Sequence, residues 1–169
     1  MLLLKIFLEA TKETMLKFYN YDIVFQEIPD ETTLAVNICN CPNHCAGCHS
    51  PHLWKDEGTP LTTDGMDILI KQYEGLITCV CFMGGDAEPE QINRFASYLR
   101  INYPTLKTAW YSGRDVLSVA IDKNNFDFIK TGHYEESLGG LKSLNTNQRL
   151  YKILPDGSQE DITSMFWKQ

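Results

Sequence analysis

Residues 76–90, LITCVCFMGGDAEPE, contain an apolar run that ends abruptly at two glycines and an acid. The run over residues 76–83 is nearly continuous, which is typical of a strand that is buried on both faces of a parallel sheet. The glycines and the acid form a turn after it. A helix then begins at Glu88-Pro89, because proline is tolerated in a first helical turn. The stretch therefore predicts one strand, turn and helix unit of an α/β fold.

Strands and helices alternate on both sides of this unit. A strand is predicted at residues 32–39 and a helix at 61–75, where Thr62 or Thr63 can act as the N-cap. Further strands are predicted at 107–111, 126–130 and 149–154, and a short helix is predicted at 116–121. Because strands joined by helices form right-handed parallel crossovers, the chain predicts an α/β class. We expect an open, partial (β/α) barrel of about five to six mainly parallel strands, since a closed barrel takes about 250 residues.

Length and composition indicate one domain of a globular protein. The chain has 169 residues, of which 43% are hydrophobic and 22% are charged. We expect a single domain over residues 1–169, with a core at about 20–154 and a C-terminal tail at 155–169. The net charge of −7 argues against a nucleic-acid partner, because such a chain repels phosphate.

The N-terminal residues 1–10, MLLLKIFLEA, contain an apolar run that Lys5 and Glu9 interrupt. The run is shorter than the roughly 20 residues that a membrane span needs. No secretory signal is evident, because no cleavage site of small residues follows the run. We therefore predict a cytoplasmic protein with no membrane partner. In a reducing cytoplasm, clustered cysteines are more often ligands or catalytic thiols than disulfides.

Residues 39–54, CNCPNHCAGCHSPHLW, hold four of the six cysteines and three of the four histidines. Cys41, Cys45 and Cys48 have the spacing C-x3-C-x2-C, so one loop can bring three thiolates to one inorganic centre. Soft thiolate ligands favour zinc or an iron–sulfur cluster. The sequence therefore predicts a metal site on this loop.

The fourth ligand separates these two kinds of site. A structural zinc ion needs four ligands, and the nearest candidates are Cys39, His44, His49 and His52. Cys39 ends a predicted strand, and we expect it to pack in the core, as do Cys79 and Cys81; we expect no histidine to be a ligand. Three cysteines leave one iron of a four-iron cluster without a protein ligand, and an open iron can bind a substrate.

Three turns are predicted to lie on one rim of the sheet. Functional sites of α/β proteins lie at the carboxyl ends of parallel strands. This rule places the cysteine loop, the Gly84-Gly85-Asp86 turn and the Ser112-Gly113 turn together. We expect Ser112-Gly113 to be a turn and not a ligand-binding element.

The form CPNHCAGCH, residues 41–49, resembles the cluster motif of the radical SAM superfamily. Gly47 stands where many members have an aromatic residue. In this respect the chain resembles one subgroup, the activating proteins of anaerobic ribonucleoside-triphosphate reductase, whose motif often reads C-x-G-C-H. Three further segments resemble that subgroup in order, and the resemblance covers about residues 20–154: FMGGDAEPE (82–90), AWYSG (109–113) and TNQRLY (146–151).

The resemblance implies a cofactor set and a reaction. Cys41, Cys45 and Cys48 would hold a 4Fe-4S cluster, and no other catalytic side chain is implied. The open iron would chelate S-adenosylmethionine, whose amino group would contact Gly84, Gly85 and Asp86. Reductive cleavage would give a 5'-deoxyadenosyl radical, which would generate a glycyl radical on the reductase.

The same resemblance implies two partners. One is the large subunit of anaerobic ribonucleoside-triphosphate reductase, as the protein substrate. The other is a low-potential electron donor such as flavodoxin or ferredoxin.

Two alternatives remain open at this stage. An activating enzyme of another glycyl-radical enzyme would use the same residues, although such activators commonly carry a ferredoxin-like insert that this chain lacks. A non-catalytic zinc-binding module would use Cys39 or a histidine as its fourth ligand.

Overall fold

A mixed sheet of eight strands is the centre of the computed structural model, which describes residues 15–167. The strands are β1 (Lys17–Val24), β2 (Thr33–Ile38), β3 (Thr59–Pro60), β4 (Cys79–Met83), β5 (Lys107–Tyr111), β6 (Phe128–Thr131), β7 (Arg149–Ile153) and β8 (Gln159–Asp161). Two α-helices are found in the described part of the chain, α1 (Thr63–Gln72) and α2 (Pro89–Asn102). Short 3-10 turns lie at Pro51–Trp54, Lys123–Asn125 and Thr163–Trp167.

The strand order is β3-β1-β2-β4-β5-β6-β7-β8, with β3 and β8 at the edges. The strands β2, β4, β5 and β6 are parallel to one another and form three parallel pairings. The four remaining pairings of the sheet are antiparallel. The predicted open partial (β/α) barrel of five to six mainly parallel strands is therefore wrong. The fold is one mixed sheet in which antiparallel pairings are the majority.

The connections explain this difference. Parallel neighbours need a long crossover, whereas a short loop returns the chain beside the strand it has left. Residues 25–32 form such a short loop between β1 and β2. Residues 132–148, between β6 and β7, contain turns and no helix, and β7 pairs antiparallel with β6. The prediction missed β1, which supplies the hairpin.

Most of the elements predicted from the sequence are present. Thr62 is the N-cap of α1, and its hydroxyl accepts a hydrogen bond from the backbone of Gly65. α2 begins at Pro89 and buries the predicted stripe Ile92, Phe95, Ala96 and Leu99. The predicted short helix at 116–121 is wrong, because these residues form bends and turns.

Both faces of β4 are buried, as its continuous apolar run predicts. Val80 and Phe82 belong to the larger core, which α1 and α2 cover. Cys79 and Cys81 lie in the smaller core on the opposite face, packed with Ala109, and they are fully buried as predicted. The sheet thus separates two apolar layers and fixes the directions in which its strands end.

The apolar segment at residues 1–10 lies outside the described residues. Among residues 15–167, no helix combines the length and the apolar character that crossing a membrane requires.

Candidate functional site

The cysteine loop, residues 39–55, leaves the carboxyl end of β2 and is closed at its base by backbone hydrogen bonds. Cys41 donates to the carbonyl of Leu53, and Asn40 donates to that of Lys55, both at 2.9 Å. Asn40 and His44 have positive φ angles of 60° and 45°. The backbone is therefore folded tightly on itself, which is an arrangement that short loops use to gather side chains.

The three cysteines of the motif differ from the other three in their exposure. Cys41, Cys45 and Cys48 are half-buried free thiols. Cys39 is buried, as predicted, and its thiol donates to the carbonyl of Glu57 at 2.9 Å. The structure thus places the three predicted ligands at the surface of one loop and leaves Cys39 buried at its base.

A backbone N–H group points at one of the three sulfur atoms, since Ser50 donates to the sulfur of Cys48 at 3.3 Å. Burial raises the pKa of the Cys41 thiol, and the nearby backbone of Asn43 and His44 acts in the opposite direction. Hydrogen bonds to sulfur are one of the ways in which proteins tune bound iron–sulfur clusters.

Asp86 joins the three turns that the sequence places on one rim. Its carboxylate accepts hydrogen bonds from the side-chain amide of Asn43 (2.8 Å), the hydroxyl of Ser112 (2.5 Å) and the backbone of Gly113 (2.7 Å). A carboxylate offers about four acceptor positions, so one remains after these three bonds. The predicted convergence of the three turns is confirmed, with Asp86 at its centre.

Gly84 and Gly85 have φ angles of +98° and +95°, a region that favours glycine. A Cβ at Gly85 would lie 2.5 Å from Cδ1 of Ile92, in the first turns of α2. The carbonyl of Gly84 accepts a 2.8 Å hydrogen bond from the indole of Trp110. Both glycines are therefore required for the turn itself, and their predicted contact with a cofactor stays a prediction.

The histidines of the loop pack against aromatic rings. His44 stacks on Trp54 with 4.8 Å between ring centroids and 18° between planes. His52 packs on Tyr19, and His49 packs on Tyr134, whose hydroxyl lies 3.2 Å from Nε2 of His49. These contacts fix the outer surface of the loop.

A cleft of about 680 Å³ opens beside Cys45. Gly113 and Arg114 line it, together with residues 133–137, HYEES, as a second wall. The second wall also touches the loop, because a Cβ on Gly47 would lie 2.9 Å from Oε2 of Glu136. The position next to the third cysteine is therefore crowded by a neighbouring segment.

Lys130 lies buried on β6, below these turns. Its ammonium group donates to the carbonyls of Ser112 (3.2 Å) and Gly132 (2.7 Å). Burial lowers the pKa of Lys130 to about 8, while nearby Asp86 and Cys45 act in the opposite direction. A cation is thus held within the electrostatic reach of the site.

The donors that the cysteine loop offers to an inorganic centre are three thiols. Among residues 15–167, no three His, Cys, Asp or Glu side chains are grouped so that they could hold a single metal ion. A four-iron cluster makes a different demand, since each cysteine binds a different iron. Three half-buried thiols on one loop, one of them receiving a backbone N–H group, are the type of donor that such a cluster takes.

Sequence reasoning missed two residues of this site. Asn43 lies between two predicted ligands, yet nothing in the motif distinguishes it from a solvated loop residue. Lys130 did leave a signal, because a lysine inside the strand FIKT is unusual in an otherwise buried strand. Ser112 was expected to be a turn residue, and its hydroxyl is a direct partner of Asp86.

Comparisons of this chain with family models, with curated proteins and with solved structures gave no match, so the site is interpreted from its own residues.

Proposed function

We propose that this chain is a radical SAM activating enzyme that reductively cleaves S-adenosylmethionine and generates a glycyl radical on anaerobic ribonucleoside-triphosphate reductase. Cys41, Cys45 and Cys48 would hold a 4Fe-4S cluster. The partners would be the large subunit of the reductase and a low-potential donor such as flavodoxin or ferredoxin, in the cytoplasm. The cysteine motif and the residues around it support this function.

One observation carries the proposal: the three-cysteine loop is tied to the Gly84–Asp86 turn. The hydrogen bond joins Asn43 to Asp86, which are 43 residues apart, and so brings the two parts together at the carboxyl ends of the parallel strands. Each part alone has an ordinary structural explanation. Their direct contact supports a common site.

The protein's own groups can bind and orient a small zwitterion here. Asp86 retains about one acceptor position, which suits an amino group. Arg114 is exposed on the cleft wall and offers a cation for a carboxylate. A bound 4Fe-4S cluster would supply the low-potential electron that the cleavage of S-adenosylmethionine needs.

The cleft also has a wall that contacts the cysteine loop. Residues 133–137 make this contact through Tyr134 and Glu136. Holding the reacting groups in such a recess favours the intended encounter over reaction with solvent.

Anaerobic reconstitution with iron and sulfide tests the proposal. The native protein should bind about four iron atoms, show a reduced-cluster EPR signal, and release 5'-deoxyadenosine from S-adenosylmethionine when dithionite is added. Cys45→Ala should abolish both the signal and the product. The matched control is Cys39→Ala, which changes a buried cysteine of the same loop and should retain both.

Other outcomes would overturn the proposal. A native protein that binds one zinc, takes up no iron and loses the zinc in Cys39→Ala would be a zinc module. A protein that binds the cluster without cleaving S-adenosylmethionine would hold an iron–sulfur site of another function.

A further inference from the structure

Lys130 is a buried cation whose direct partners in the described structure are neutral. Its residue is 7% exposed, and its two hydrogen bonds go to backbone carbonyls. None of the ion pairs between described residues includes it. Burying a charge without an ion-pair partner is unfavourable, so its place in the fold needs an explanation.

A chain of contacts leads from Lys130 to the cysteine loop. Its ammonium binds the carbonyl of Ser112, the hydroxyl of Ser112 binds Asp86, and Asp86 binds the amide of Asn43. Asn43 lies between Cys41 and Cys45 in the sequence. The cation is thus separated from the loop by one serine and one carboxylate.

The charges that face Lys130 are those of the site. Asp86, Cys45, Asp115 and Cys41 all act electrostatically on its ammonium group. Of these four groups, Asp115 is exposed and is paired with His133. The other three groups belong to the cysteine loop and to Asp86, which is hydrogen-bonded to that loop.

We propose that Lys130 is the counter-cation of the cysteine-loop site and compensates the negative charge that the site carries once its three cysteines are ligated. Three thiolates carry more negative charge than a four-iron, four-sulfide core carries positive charge, so the ligated loop is anionic. The inference rests on the proposed function only to the extent that the loop binds such a cluster. Lys130 is a positioning residue, because it acts through Ser112 and Asp86 and through its field.

A nearby cation stabilises the more negative, reduced form of a cluster and raises its reduction potential. Three variants separate this effect from a structural one. Lys130→Gln keeps an N–H donor for the two carbonyls but removes the charge, Lys130→Met removes both, and Lys130→Arg keeps both. Lys107→Gln is the matched control, because Lys107 pairs with Glu31 at the opposite end of the parallel strands.

The experiment is a dithionite titration of each reconstituted protein, with the midpoint potential read from the cluster's EPR signal. Lys130→Gln and Lys130→Met should shift the midpoint to more negative potential. Lys130→Arg and Lys107→Gln should remain at the native value. Thermal unfolding of the iron-free proteins shows which variants fold. Lys130→Gln and Lys130→Met both remove the charge but differ in their hydrogen bonding, so the midpoint potential of either variant that folds tests the proposal.

If Lys130→Gln has the midpoint potential of the native protein, Lys130 is not the counter-cation of the site. The same conclusion follows if Lys130→Arg shifts the midpoint potential as much as Lys130→Gln does. Both results would leave the proposed function standing. A native protein that takes up no iron would overturn the two proposals together, while a normal shift without cleavage of S-adenosylmethionine would overturn the proposed function alone.

Discussion

The side-chain amide of Asn43 donates a 2.8 Å hydrogen bond to the carboxylate of Asp86. The two residues come from different turns, one inside the cysteine motif and one after β4. Gly113 makes the approach possible, because a Cβ there would lie 2.4 Å from Nδ2 of Asn43. The contact between the cysteine loop and the turn after β4 therefore depends on the amide of Asn43, the carboxylate of Asp86 and the absence of a side chain at Gly113.

Asn43→Asp should separate the loop from the sheet. The substitution keeps the size of the side chain, but it removes the donor and places a second carboxylate beside Asp86. We expect a loss of about 1.5–3 kcal/mol in the free energy of unfolding, as for other half-buried hydrogen bonds to charged groups, measured by urea denaturation. Asn102→Asp is the control, since the amide of Asn102 only binds the carbonyl of Tyr98 on an exposed surface. Equal losses in the two variants would contradict this role of Asn43.

Gly85→Ala should destabilise the protein more than Gly75→Ala. Both glycines have positive φ angles, +95° and +78°, so both substitutions introduce backbone strain. Only the Cβ at Gly85 meets a neighbour, Cδ1 of Ile92 at 2.5 Å, whereas nothing lies within 4 Å at Gly75. We expect an excess of about 1–3 kcal/mol for Gly85→Ala, measured as the difference between two urea unfolding curves. If the two curves coincide, the turn does not pack against α2 as described.

Gly47→Ala tests the contact between the cysteine loop and residues 133–137. A Cβ at this position would approach Glu136, and the φ of +73° adds strain that is independent of that contact. In a double-mutant cycle with Glu136→Ala, we expect a coupling of about 0.5 kcal/mol or more, because removing the Glu136 side chain relieves only the steric part. Additive effects would show that the two segments do not touch in solution.

Lys130 should make stability depend on alkaline pH. Burial lowers the pKa of Lys130 from 10.5 to about 8, so the unfolded chain binds more protons than the folded chain between these pH values. Stability therefore rises as the pH increases through this window, and the penalty of the buried charge is complete below it.

The measurement compares native protein with Lys130→Met in urea at pH 7.5 and pH 9.5. The stability of the native protein relative to the variant should improve by roughly 2 kcal/mol between the two conditions. Raised tyrosine pKa values, such as that of Tyr103 at about 12, act in both proteins and cancel in the difference. A difference that is independent of pH would show that Lys130 is not buried as a titrating group.

Secondary-structure elements were predictable where a local pattern of residues determines them. The buried run of β4, the capping threonine of α1 and the apolar stripe of α2 all follow from local patterns. The direction of β7 did not follow, because no local pattern in residues 132–148 indicates beside which strand, or in which direction, the chain returns. Periodicity identifies strands, but the pairing partner of a strand such as β1 is decided by contacts that are distant in sequence.

The candidate site also has one part that the sequence predicts and another part that it does not. Three cysteines at close spacing identify their loop without any structure, and the rule of carboxyl ends places the Asp86 turn beside it. The partners of Asp86 could not be predicted, because the hydroxyl of Ser112 and the amide of Asn43 are ordinary in sequence and become specific only through their positions.

The two outer strands of the sheet restrict how another protein can attach to it. β3 has only two residues and ends in Pro60, while β8 has three exposed residues, Gln159–Asp161, of which two are acidic. Such edges resist the addition of a further strand, since they offer few free backbone groups and carry proline or repelling charge. A further strand is therefore not expected to pair with β3 or β8 themselves. The proposed protein substrate would instead meet the sheet at the carboxyl ends of the parallel strands, where it could present a loop to the cysteine loop and the Asp86 turn.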